Sequence, residues 1–222
     1  MAKKKGRSLK KAGRYDASGL VEAQFEPGSH GRVLKNLQGI KKKSEMDRVE
    51  AETLKWATDT LVRKYEKNHR FSAEDICHIH KTWLGGVYEW AGKYRQVNLS
   101  VRGFTFAAAS QIPRLMKELE EGPLQQHTPC NFKSKDRIIQ GLAEVHTELV
   151  LIHPFREGNG RVARILATLM ASQAVVPLLD FRAIQGKGRQ EYSAAVRAGL
   201  DRNYLPMERI FRAVLQRTMR RT

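Results

Sequence analysis

The stretch His153-Pro154-Phe155-Arg156-Glu157-Gly158-Asn159-Gly160-Arg161-Val162-Ala163-Arg164 separates two apolar helical patterns, and its reading decides the fold. Upstream, Ile138, Leu142, Val145, Leu149 and Ile152 recur at helical spacing over 134–152; downstream, Val162, Ile165, Leu166, Leu169 and Met170 do the same. Pro154 has no backbone N–H and pushes His153 away from helical geometry, so the first helix is expected to stop there. Gly158 and Gly160 permit positive φ and close backbone approach, and the second helix is expected to open at or just after them. Amides gathered in such a turn, followed by a helix N-terminus, make a cradle for an anion. Arg161 and Arg164, three apart on one helical face, bring two cations to the same place. Glu157 beside a phosphate site calls for a bridging cation, and Mg²⁺, which takes one or two carboxylates plus phosphate oxygens, is the expected one. His153, at the opposite edge of the loop, can accept a proton near neutral pH.

Working outward, Met46, Val49, Leu54, Ala57, Leu61 and Val62 predict a helix beginning near Ser44. Ser72 is an N-cap candidate with Asp75 at the third helical position, opening a helix through Ile76, Ile79, Trp83 and Leu84 that Gly85-Gly86 closes. Val97, Leu99 and Val101 alternate with polar residues, Arg102-Gly103 can turn, and Phe104 and Phe106 resume the alternation, which predicts the one hairpin. Further helices are expected over 107–119, 190–199 and 207–220. A mainly α, single-domain bundle with a small β-hairpin follows. Trp56, Trp83 and Trp90 are expected in the core or at the base of the hairpin. Cys77, His78 and His80 share a helix at spacings unlike a zinc site, and His146 is read as structural.

The chain has 222 residues, 41% of them hydrophobic, enough for a substantial core. Two cysteines, Cys77 and Cys130, exclude a disulfide framework and suit a reducing cytoplasm, and neither a signal peptide nor a membrane span is expected. The net charge of +17 suggests a phosphate-rich partner, but +14 of it lies within residues 1–43 and 209–222. The body between is only +3. We therefore expect a basic flexible leader over 1–29, a folded domain over 30–215 and a basic tail over 216–222. No aromatics interleave the terminal charges as a base-stacking surface would require, so nucleic-acid binding by the termini stays a rival reading.

The loop from His153 to Arg164 resembles the signature of the Fic family, His-x-Phe-x-Asp/Glu-Gly-Asn-Gly/Lys-Arg with a second Arg three residues on, and every position is matched. Tyr88-Glu89-Trp90-Ala91-Gly92-Lys93-Tyr94-Arg95-Gln96-Val97-Asn98 is similar to the stretch before that family's flap, and Val33 to Ile40 to the segment before its first helix. The resemblance implies a helical bundle with a flap hairpin and transfer of AMP from ATP to a hydroxyl of a target protein. His153 would then be the base and Phe155 the anchor of the loop. Glu157 would hold Mg²⁺, Gly158, Asn159 and Gly160 would cradle phosphate oxygens, and Arg161 and Arg164 would bind the diphosphate side and the γ-phosphate. Val97, Asn98, Leu99, Ser100, Val101, Arg102, Gly103 and Phe104 would form the flap, pairing with an extended target segment. Tyr192 falls where such proteins close the adenine pocket.

Gly160 favours AMP transfer over the related Doc-type phosphotransfer, in which this position is Lys and the nucleotide binds in reverse; phosphotransfer is the alternative on the same scaffold. Relatives are often silenced by Ser/Thr-x-x-x-Glu-Gly/Asn, whose Glu pairs with the second Arg. The nearest segment here is Ser18-Gly19-Leu20-Val21-Glu22-Ala23, which makes Glu22 the candidate inhibitory residue; otherwise a separate small antitoxin would supply the carboxylate. Topoisomerase subunits, small GTPases and chaperones are the target classes the resemblance brings, each presenting a Tyr, Ser or Thr hydroxyl.

Overall fold

The computed structural model describes residues 19–101, 103–186 and 188–220. Its elements run α1 (Lys43–Lys64), α2 (Ala73–Leu84), β1 (Ser100–Val101), β2 (Phe104–Thr105), α3 (Ile112–Leu119), a short turn α4 (Gln125–His127), α5 (Lys135–Ile152), α6 (Asn159–Gln173), α7 (Gly188–Ala198) and α8 (Leu205–Met219). The architecture is mainly α, as expected. Helices α5 and α6 are its centre, each burying eleven residues, out of 18 in α5 and 15 in α6. A helix buried around that much of its circumference must be enclosed by others. α1, α2 and α3 cover one side of the pair, while α7 and α8 cover α5 from the other.

Local sequence accounts for most of these boundaries. Ser72 and Asp75 form a reciprocal capping box that starts α2. Ile112 starts α3 with Pro113 in its first turn, where a missing N–H costs nothing. The 107–119 expectation is shortened because Ala109–Gln111 is a 3₁₀ turn, and α3 continues through an unforeseen π turn at Glu120–Leu124 into α4. β1 and β2 pair antiparallel in the register Ser100 to Thr105 and Val101 to Phe104, a shorter hairpin than the alternation over 97–106 predicts.

Two boundary expectations are corrected. The leader does not extend to residue 29: Glu22 and Ser29 are buried, and Phe25 bridges to Leu34, so the folded body reaches back to at least Leu20. The tail does not begin at 216, since α8 runs to Met219 and buries Thr218. Part of the C-terminal basic run is also neutralised against the body, Arg212 by Asp136 at 2.8 Å and Arg217 by Asp180 at 2.9 Å. Residues 1–18, which hold most of the leader's charge and Ser18 of the candidate inhibitory segment, lie outside the described residues, as does Arg102 of the hairpin. Trp83 and Trp90 are buried as expected, but Trp56 is exposed on the outer face of α1. Among the described residues, no helix is long and apolar enough to cross a membrane.

Candidate active site

The loop between α5 and α6 is built from inside outward. α5 ends at Ile152, and His153 caps it in the left-handed region at φ 54°, ψ 58°, with its N–H on the Leu149 carbonyl at 3.1 Å. A non-glycine residue in this conformation is strained and is held there by its surroundings. Phe155 is fully buried and stacks on His80 with ring centroids 3.9 Å apart. Asn159 closes the loop as a staple: its Oδ1 accepts from Phe155 N at 2.8 Å and its Nδ2 donates to Phe155 O at 2.7 Å. The Asn159 side chain is thereby committed to the loop, and only its backbone amide is left for a phosphate.

The His153 ring is held in one orientation and one tautomer. Its Nδ1 lies 3.0 Å from the Val150 carbonyl, so Nδ1 carries the proton and Nε2 the lone pair. The ring stacks on Phe106 at 3.6 Å, which ties it to the end of the hairpin. Burial, with the nearby Arg95 cation also disfavouring protonation, pushes its pKa down to about 4, so the imidazole is neutral at pH 7.

A cavity of about 490 Å³ opens beside it. One wall is His153, Glu157, Gly158, Gly160, Arg161 and Arg164; a second is Leu99, Ser100, Val101 and Phe104 of the hairpin; a third is Arg189, Tyr192 and Arg197 of α7. Most of the signature residues and four of the eight expected flap residues thus meet in one place. Val97 and Asn98 act from behind: Val97 gives its carbonyl to Arg95, and Asn98 Oδ1 caps the Ala109 amide at 2.8 Å. Gly103 takes φ +79° at the hairpin turn. Tyr192 lines the cavity and bonds His146 Nε2 at 2.8 Å, and burial pushes its phenol up to about 12, so it stays protonated.

The charged groups differ in how they are held. Glu157 is half-exposed, its Oε1 accepting from Gly158 N at 2.8 Å and lying 3.3 Å from Arg161 Nη2. Arg164 is largely buried without a carboxylate within ion-pair distance among the described residues, and burial, with Arg161 adding to it, lowers its pKa. A buried arginine left without an anion is a seat for one. No three His, Cys, Asp or Glu side chains converge to hold a metal among the described residues. Glu157 alone fits Mg²⁺ only if phosphate oxygens and water complete the shell, which is how that ion is commonly bound beside phosphates.

Two glycines in the loop have different reasons. A Cβ at Gly158, at φ +83°, would lie 2.5 Å from Trp83 Cζ3, whereas one at Gly160 would meet nothing closer than Arg164 Nη1 at 3.6 Å. Gly158 is required by packing, whereas Gly160 opens into the cavity. Gly158→Ala is therefore expected to destabilise the fold by about 1–3 kcal/mol through overpacking, plus the cost of the positive φ. Gly160→Ala should leave thermal unfolding nearly unchanged, and melting curves of the two variants check this contrast.

Glu22 is not delivered to Arg164. Its Oε1 accepts from Gln96 N at 2.6 Å and Val97 N at 3.1 Å, beneath the hairpin, and its carbonyl accepts from Arg156 Nε at 2.9 Å. A single 3₁₀ turn, Val21–Ala23, carries it, and its carboxylate is already satisfied by backbone donors there. Three buried polar residues outside the signature loop also hold the site. His80 accepts from Gly92 N at 2.7 Å and donates to the Glu157 carbonyl at 3.2 Å, with burial pushing its pKa down to about 3. Arg95 donates from Nε to His153 O, from Nη1 to Val97 O and from Nη2 to Ala107 O, each at 2.7 Å. Glu50 of α1 pairs with Arg161 at 2.8 Å. Nothing local in the sequence marks Arg95 or Glu50 as buried.

Residues 70–171 match the family model of the Fic/DOC family. The protein adenylyltransferase VbhT of Bartonella schoenbuchensis is 32% identical over 152 residues, covering 64% of this chain and 29% of the relative. The probable protein adenylyltransferase y4lH of Sinorhizobium fredii is 28% identical over 161 residues, 72% of this chain and 80% of the relative. Among solved structures, the N-terminal Fic domain of a putative cell filamentation protein from Bartonella quintana superposes with a TM-score of 0.67 at 27% identity, covering 82% of this chain and 87% of that one. The matched loop, the cavity and the flap lie in one arrangement, and over residues 70–171 the chain is similar to the Fic/DOC family. It spans 29% of the length of VbhT.

Proposed function

We propose that this protein transfers AMP from ATP to a hydroxyl of a target protein, releasing diphosphate. The observation that carries the reading is His153, a neutral imidazole with its lone pair on Nε2, fixed between a glycine turn and a hairpin. In the proposed reaction Nε2 takes the proton of the target hydroxyl as that oxygen forms its bond to the α-phosphorus. The bond from the α-phosphorus to the bridging oxygen breaks, and diphosphate leaves with the electron pair. The turn at 158–160 and the first amides of α6 hold phosphate oxygens, while Arg161 and Arg164 meet the departing and terminal phosphates. Mg²⁺ held by Glu157 and the phosphates supplies charge neutralisation there. The open edge of β1 accepts an extended target segment by strand addition, which sets the hydroxyl in line. The relatives' names, protein adenylyltransferases, support this reading, as does the volume left free at Gly160.

Labelling in cell lysate tests it. With ATP labelled at the α-phosphorus, a protein band should retain label, whereas label retained only from the γ-position would establish phosphotransfer instead. Retention of neither, with tight nucleic-acid binding that depends on the basic ends, would favour the binding-protein reading. The labelled band identifies the target, with topoisomerase subunits, GTPases and chaperones as the candidate classes. We place its action in the cytoplasm, where the free thiols of Cys77 and Cys130 persist.

A separate inhibitor is the second reading, favoured by one observation. A groove of about 390 Å³ lined by Leu54, Thr58, Ile165, Leu179 and Phe181 runs to Arg161 and Arg164. With Glu22 engaged elsewhere, we assign an inhibitory carboxylate at Arg164 to a small antitoxin seated in that groove.

A further inference from the structure

α1 brings into the site a carboxylate that lies outside the signature loop. Glu50 is 2% exposed. Its Oε2 accepts from Arg161 Nη1 at 2.8 Å, and its Oε1 accepts from the Tyr88 hydroxyl at 2.8 Å. Its backbone carbonyl accepts from Trp83 Nε1 at 2.9 Å, and the Arg161 guanidinium lies over the Trp83 ring at 4.5 Å. Burial and the Glu50 charge both raise the Tyr88 pKa, so the phenol remains a donor to Glu50. Arg161 thus has its guanidinium against an aromatic face, one nitrogen on a buried carboxylate and another on half-exposed Glu157.

The two ion pairs are not equivalent. Removing the cation from buried, doubly bonded Glu50 would strand a charge away from water, which is strongly unfavourable, whereas Glu157 can turn to solvent or to a metal. An arriving phosphate therefore displaces the Glu157 contact and leaves the Glu50 contact in place. Arg164 has no such carboxylate partner among the described residues.

Resting on the proposed AMP transfer, we propose that Glu50 is a positioning residue that fixes Arg161 for the departing diphosphate, so that the guanidinium need not reorganise as charge develops. An inhibitory role would also place a carboxylate on a phosphate-binding arginine, but it requires a contact that can be released, and Glu50 is locked by Tyr88 and burial.

Glu50→Gln keeps the shape and removes the charge. It is expected to lower kcat about tenfold with little change in KM for ATP, and to weaken inhibition by added diphosphate similarly. Because Glu50 acts through Arg161, the kcat loss should vanish when Arg161→Ala is already present. Tyr88→Phe, which removes one hydrogen bond from Glu50, should lower kcat severalfold with the same dependence on Arg161, and it decides the matter if Glu50→Gln does not fold. Unchanged or increased kcat, or a loss equally large without Arg161, overturns the proposal. If the wild type transfers no AMP, the functional reading falls, and calorimetric binding of diphosphate to wild type and Glu50→Gln still decides positioning: equal affinities refute it, and weaker binding by the variant supports it.

Discussion

His153→Ala is expected to lower target labelling by about 10²–10⁴-fold, the usual contribution of a positioned base. The geometry places the loss in chemistry rather than in folding. Among the described residues, the imidazole makes one hydrogen bond, to the Val150 carbonyl, and one stacking contact, to Phe106, and alanine keeps the backbone capped. ATP binding should persist in the variant, because the amides and Arg164 do not depend on the ring. A pH profile tests the assignment further. Burial, then Arg95, holds the folded-state pKa near 4, below the ordinary histidine value of 6.5. The base thus remains unprotonated well below pH 6.5, and the acid limb of kcat/KM should fall near pH 4. An acid limb at 6.5, or substantial labelling by the alanine variant, would move the base elsewhere.

The second large effect is expected at Arg95, whose side chain is fully buried. Its guanidinium ties the carbonyls of Ile152 and His153, at the end of α5, to those of Val97 and Ala107, at the two ends of the flap. Among the described residues, no carboxylate is bonded to it directly. Stranding these acceptors in Arg95→Met should cost about 3–5 kcal/mol, as for other buried networks that lose a charged member. For a chain of this size that lowers Tm by roughly 10 °C. Labelling measured well below the new Tm should also fall, because the flap is no longer registered on the base. Arg95→Lys keeps the charge but cannot fork to several carbonyls, so it should lie between. A lysine variant matching wild type in both Tm and labelling would show that the fork is unnecessary.

These two sites divide what could be read from the chain and what could not. The loop from His153 to Arg164 was legible because its determinants are contiguous. Proline stops one helix, Gly158 turns the backbone, and the arginines follow within a turn of the next. α2 was legible for the same reason, its capping box closing within Ser72 to Asp75. The surroundings of Glu22 are not legible from its local near-match, since the donors to its carboxylate, the amides of Gln96 and Val97, are more than 70 residues away. The exposure of Trp56 likewise depends on which face of α1 meets α2, which its own side chain does not specify.

The sequence by itself therefore determined the helical class and the turn that can cradle a phosphate, because backbone sterics and helix periodicity act over a few residues. Only the tertiary structure decided that burial lowers the pKa of His153, that Arg161 pairs with Glu50 while Arg164 has no carboxylate within ion-pair distance among the described residues, and that Arg95 and His80 bond the backbone of the loop. Burial and charge pairing depend on side chains brought together from distant parts of the chain, as with Glu50 and Arg161, 111 residues apart, and no local spacing encodes such an approach.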